Sequence, residues 1–193
     1  ESYRLGAVLA YNLLTFGTKE RGREKLLDVL TRIPEGGMVL LCFGEIDCRC
    51  HLVKQAQIQN IAIKDVIEQC VDRYFKVVDE LIQMGFDVLI WNVIPTSNTF
   101  NSEYPYFGSM VERNNCTNQF NSLLLKQCRA REIIFVSIFN ELITSKGLTR
   151  KKFFFDDIHL AQLAMPLAKR KLLKLKPSLS NNKKHTKSDL QLD

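Results

Sequence analysis

A three-layer α/β/α fold around a mainly parallel sheet is predicted by two observations. Three short apolar runs, at 38–43 (MVLLCF), 87–93 (DVLIWNV) and 133–138 (IIFVSI), are hydrophobic on both faces and bounded by polar residues or Gly/Pro. That is how strands buried on both sides of a parallel sheet read. Longer segments with apolar residues at helical spacing separate them, and strand–helix alternation argues for layers of helix packed on a sheet. The length of 193 residues suits one domain with a sizeable core.

Each element can be justified in chain order. Residues 23–32 place Leu26, Leu27, Val29 and Leu30 on a helix that Pro34-Glu-Gly-Gly37 ends. After the strand at 38–43 comes Gly44-Glu45-Ile46-Asp47-Cys48-Arg49, read as a loop at the carboxyl edge. Residues 62–84 form a long helix, with Val66, Ile67, Cys70, Val71 and Tyr74 on its apolar face and Gly85 as its stop. The strand at 87–93 leads to Ile94-Pro95-Thr96-Ser97-Asn98. A helix at 113–128 precedes the last strand. A linker then reaches Phe155-Asp156-Asp157-Ile158-His159-Leu160 and a final helix at 161–175. The domain is expected to span 1–176. Residues 177–193 are polar, basic and poor in core-forming side chains, and are expected to be a disordered tail.

Charge and cysteine usage bound the function. The formal net charge is +6, yet residues 169–193 alone carry eight Lys/Arg against two Asp, so the first 168 residues are neutral. A nucleic-acid-binding fold carries its basic charge on its body, which argues against that class of partner. No apolar run approaches the ~20 residues of a membrane span, and Glu1-Ser2-Tyr3-Arg4 lack the basic-then-apolar layout of a secretory signal. The six cysteines read as reduced thiols, so a cytoplasmic location is expected. Cys48-Arg49-Cys50-His51 invites a zinc site but lacks a second distant ligand pair. The chain begins at Glu1 rather than Met, so it is expected to be a processed product, a trimmed polypeptide or a fragment.

Ligands of such sheets bind beyond the carboxyl ends of the strands. Two motifs fall there. Asp156 and His159 are three residues apart, so one turn brings a carboxylate to an imidazole, as a serine hydrolase requires of its base and the group that orients it. Asp156 or Asp157 could equally serve as a helix N-cap. Glu45, Asp47 and Arg49 are costly to bury unpaired. They form an internal ion-pair network, in which Arg49 bridges Glu45 or Asp47, or they face a substrate.

Together these motifs resemble the SGNH (GDSL-type) hydrolases. Asp156-x-x-His159 resembles the family's last block. Gly44-Glu45-Ile46-Asp47 resembles its third, in the form FGEIDCR seen in a bacterial subfamily often met near polysaccharide genes. Leu5-Gly6-Ala-Val-Leu-Ala-Tyr-Asn-Leu13 resembles text of the same subfamily after its second strand. The likeness covers about residues 1–170. It implies a serine esterase, acyl hydrolase or acyltransferase, acting on a small-molecule or acylated carbohydrate ester without metal or organic cofactor. It makes His159 general base then general acid and Asp156 its orienting partner. Gly6 becomes an oxyanion donor, and Gly44, Glu45, Asp47 and Arg49 the pocket. Two departures stand out. Ile46 occupies the place of the third-block Asn, and no Gly-Asp-Ser block occurs in the 193 residues. The first strand and its nucleophile turn are therefore expected to be missing from the sheet. The alternative is a non-catalytic carbohydrate-binding or scaffold relative.

Overall fold

Alternating burial shows how the sheet is built. The structure, a computed structural model, describes residues 1–97 and 104–175. The tail from 177 and Asn98 lie outside the described residues. Strand β1 (Met38–Leu41) pairs in parallel with β2 (Asp87–Trp91), which pairs in parallel with β3 (Ile134–Val136), in the order β1-β2-β3. All three strands fall within the predicted runs, and the mixed helix-and-parallel-sheet architecture agrees with the expected α/β class.

One face of this sheet is deeply covered. Val39 and Leu41 of β1 and Val88 and Ile90 of β2 share it, and all four belong to the main core. Helix α1 (Gly22–Leu30) contributes Leu26 and Leu30 to that core. Helix α3 (Ile63–Gln83) buries nine residues at three-to-four spacing, from Val66 to Leu81, and α4 (Met110–Ala130) adds Cys116, Phe120 and Leu124. Each large aliphatic or aromatic side chain so buried contributes ~1.5–3 kcal/mol. Helix α3 ends as its sequence indicates: Gly85 takes φ +86°, and Phe86 N donates to Leu81 O at 3.1 Å.

The other face is thinner. A small second cluster of Ile138, Leu142, Phe154 and Ala164, with Trp91 and Leu167 against it, covers β2. Ile138 and Leu142 come from the short helix α5 (Phe139–Leu142) and the residue before it, and Leu167 from α6 (Met165–Leu173). Among the described residues little covers β1 on this face: Met38 is 45% and Leu40 42% exposed, whereas Leu89, beside Leu40, is buried.

Three expectations are corrected. The segment after β1 is helical, not a loop: a π-helical turn (Asp47–His51) runs into α2 (Leu52–Gln59). The last helix begins at Met165, not 161, because Pro166 suits only a helix's first turn. Helix α6 also carries Lys169, Arg170 and Lys171, and Lys171 pairs with Glu141 at 3.1 Å. Part of the basic charge assigned to the tail therefore belongs to the folded body.

Candidate active site

The residues beyond the strand ends are built from two turns of opposite character. The first opens at Gly44, whose φ is +107°. A Cβ there would stand 2.8 Å from Val93 Cγ2 and 2.9 Å from Phe120 Cε1, so only glycine lets the chain leave β1 this close to the core. Cys48 N then donates to Gly44 O at 3.0 Å, starting the helical turn. Asp47 points back into the protein. It is buried and accepts from Ala10 N at 2.8 Å and Tyr11 N at 3.2 Å, with Cys70 Sγ 3.5 Å away. Burial pushes its carboxyl above the usual range, against the lowering effect of those two amides and Cys70. Asp47 thus ties the N-terminal segment to the sheet.

Arg49 is buried too. Its Nε and Nη2 grip Glu45 at 2.6 and 3.2 Å, and Nη1 donates to Pro105 O. Such a forked pair is the strong form of a carboxylate–guanidinium contact. Of the two sequence alternatives for Arg49, the observed contact is the internal bridge to Glu45.

The second turn is open. Asp156 Oδ1 accepts from Ile158 N at 2.8 Å and His159 N at 2.6 Å, while Oδ2 meets His159 Nδ1 at 2.6 Å. Burial tends to raise the Asp156 pKa. The hydrogen bonds from the His159 ring and the two amides outweigh it and hold the carboxyl below its ordinary value. The His159 side chain is 50% exposed. The turn is anchored from beneath by Phe154, which is buried and bridges to Leu160, and by Phe155 N donating to His159 O at 2.8 Å. Of Phe153, Phe154 and Phe155, Phe154 alone is buried; Phe155 is 79% exposed.

The three post-strand segments meet. Ser97 N donates to Asp157 O at 3.0 Å, joining the segment after β2 to the Asp156–His159 turn. Tyr104 lies between the two turns, its ring 5.6 Å from that of His159 and 5.9 Å from the Arg49 guanidinium carbon. Gly6 is placed elsewhere: its nearest neighbours across space are Lys25 Nζ and Glu20 Oε2, at 3.7 and 3.9 Å from a Cβ built there.

Sequence reasoning missed a polar network beneath this edge. Arg113, fully buried on α4, reaches Thr96 Oγ1 at 3.1 Å and Gly108 O at 2.5 Å and lies over the Tyr106 ring at 4.6 Å. Asn114 accepts from Thr96 N and donates to Gly147 O and Thr149 Oγ1, and Asn121 both accepts from and donates to the Val93 backbone. These groups set the path of 93–97. The signal available was Ser109-x-x-Glu112, a capping box whose reciprocal bonds are present at 3.2 and 2.8 Å and which starts α4 at Met110.

Comparison with solved structures finds a similar fold. A crystal structure of a Bacteroides fragilis protein, provisionally described as an acylhydrolase, superposes with a TM-score of 0.58 at 14% identity, over 90% of this chain and 72% of that one. The chain has that protein's fold. No family model and no curated protein sequence matches it. Among the described residues, no helix is long and apolar enough to cross a membrane. Nor do three or more His, Cys, Asp or Glu gather among them as a metal site would need. Cys48 is instead buried beside Cys116, and burial, followed by that neighbour, pushes its thiol well above the ordinary range.

Proposed function

We propose that the chain is the body of an SGNH-type serine acyl hydrolase or acyltransferase acting on a small-molecule or acylated carbohydrate ester. The observation that carries this reading is the Asp156–His159 pair: a carboxylate held by two amides, bonded to the ring of a half-exposed imidazole, beyond the carboxyl ends of a parallel sheet. With Nδ1 engaged by Asp156, Nε2 is the nitrogen left to take a proton from a nucleophile and return it to the leaving group. The fold shared with a protein described as an acylhydrolase supports the same class.

The nucleophile in this reading is a serine on a Gly-Asp-Ser strand that adds in parallel along the outer side of β1. The exposed Met38 and Leu40 support that position, because a strand and its following helix would cover them. Glu45, Asp47 and Arg49 hold the pocket wall rather than touch substrate, and Gly6, lying beside Lys25 and Glu20, is given no oxyanion role in this reading. Ile46, standing in place of an asparagine donor, favours a second reading: a carbohydrate-binding relative without turnover.

The test is hydrolysis of p-nitrophenyl acetate by the 193-residue chain and by the chain extended with a Gly-Asp-Ser strand, each with and without His159→Ala. The hydrolase reading expects turnover in the extended chain alone. It also expects His159→Ala to reduce that turnover by at least ~10²-fold, since a general base contributes that much and triad members act as a unit. Turnover indifferent to His159→Ala would overturn the role of His159 as the base, and the absence of turnover in both chains would favour the binding relative.

A further inference from the structure

We propose that Tyr104 is a positioning residue for His159, and that the part-buried Glu45–Arg49 pair acts on the imidazole through it. This rests on His159 being the base.

The argument starts from what Asp156 leaves undone. One hydrogen bond to Nδ1 fixes one corner of the ring, and an imidazole half open to solvent can still swing about its side-chain torsions. The Tyr104 ring supplies a second boundary. It meets the imidazole at 5.6 Å and 75°, the edge-to-face arrangement that aromatic rings prefer. Two contacts in different directions define a ring orientation where one does not, and a general base needs its free nitrogen within hydrogen-bond reach of the nucleophile.

Tyr104 is itself held from below. Its ring faces the Arg49 guanidinium at 5.9 Å, near the outer limit of a cation–π contact. The following residues are strapped to the same turn: Pro105 O accepts from Arg49 Nη1, and Phe107 N donates to Arg49 O at 3.0 Å. Arg49 cannot drift, because Glu45 grips two of its nitrogens. A continuous run of contacts, Glu45 to Arg49 to Tyr104 to His159, therefore links the turn after β1 to the base. It also assigns Glu45 and Arg49 a role that needs no contact with substrate.

Histidine side-chain NMR on the full 193-residue chain reads this directly, with the His159 signals identified by their loss in His159→Gln. In the native chain His159 is expected mainly as the Nδ1–H tautomer, as the Asp156 bond requires. Tyr104→Ala is expected to shift it toward a mixture of tautomers, while Tyr104→Phe, which keeps the ring, restores the native signals. In the chain extended with Gly-Asp-Ser, Tyr104→Ala is expected to lower kcat about three- to tenfold with KM little changed, the size of one aromatic pair. Tyr104→Phe is expected to stay within about twofold. His159 signals unchanged in Tyr104→Ala, or altered equally in Tyr104→Phe, overturn the proposal even if hydrolysis proves His159-dependent. An inactive extended chain would remove the hydrolase reading, and the tautomer measurement would still decide whether Tyr104 orients the ring.

Discussion

The turn at Gly44–Arg49 and the turn at Asp156–His159 carry similar chemistry and are used oppositely. In the first, both Asp47 and Arg49 are buried and satisfied from within: Asp47 by the amides of Ala10 and Tyr11, Arg49 by Glu45 and Pro105 O. In the second, the carboxylate is partly covered and the imidazole is half open. Clustered charge in a sequence thus marks where polar groups will be placed, not whether they will face solvent. A carboxylate bonded to distant backbone holds chain segments together. One bonded to a neighbouring imidazole leaves a ring nitrogen to do chemistry.

The largest expected effects lie in the closed turn. Gly44→Ala must relieve a positive φ and a Cβ pressed on Val93 and Phe120, and should destabilise the chain on the order of 2–4 kcal/mol by urea denaturation. Asp47→Ala leaves the Ala10 and Tyr11 amides without their acceptor, each costing about 1–3 kcal/mol, less the desolvation that the carboxylate no longer suffers. By contrast, His159→Ala should change stability by under ~0.5 kcal/mol, the range of surface substitutions. Equal losses in the two turns would break the comparison.

A smaller effect sharpens it through pH. The Asp156 carboxyl is lowered in the fold, so its contribution is present above the usual ~3.9 and fades as pH falls through the folded value. The Asp47 carboxyl is raised by burial, so the sign reverses: its contribution is greatest at low pH and lost as pH rises through its folded value. Thermal midpoints followed into acid should show Asp156→Asn flattening the fall at low pH. Asp47→Asn should remove an opposing slope above ~3.9. The same direction from both variants would show that the two carboxylates are not used oppositely.

Much of the layout was legible because burial imposes periodicity. The three strands read as apolar runs, and α3 as a stripe ending at Gly85, since a core on one side selects side chains at regular spacing. The π turn and α2 were not legible. They follow a glycine and carry Glu45, Asp47 and Arg49, and charged residues at a strand end read as a loop when their internal partners are unknown. Helix α4 begins at Met110 rather than 113, and its buried Arg113, Asn114 and Asn121 were not legible, because polar residues on a helix read as its solvent face.

By itself the sequence determined the parallel α/β alternation, and it placed Asp156 and His159 within one turn of each other, because both are properties of near neighbours along the chain. Tertiary structure alone decided that Asp47 turns inward to residues 10 and 11, that Arg49 reaches Pro105, and that Tyr104 comes to rest beside His159. Those outcomes join residues 36 to 56 positions apart. They depend on which segments the packed sheet and helices bring within hydrogen-bond reach, and no local pattern in the chain carries that distance.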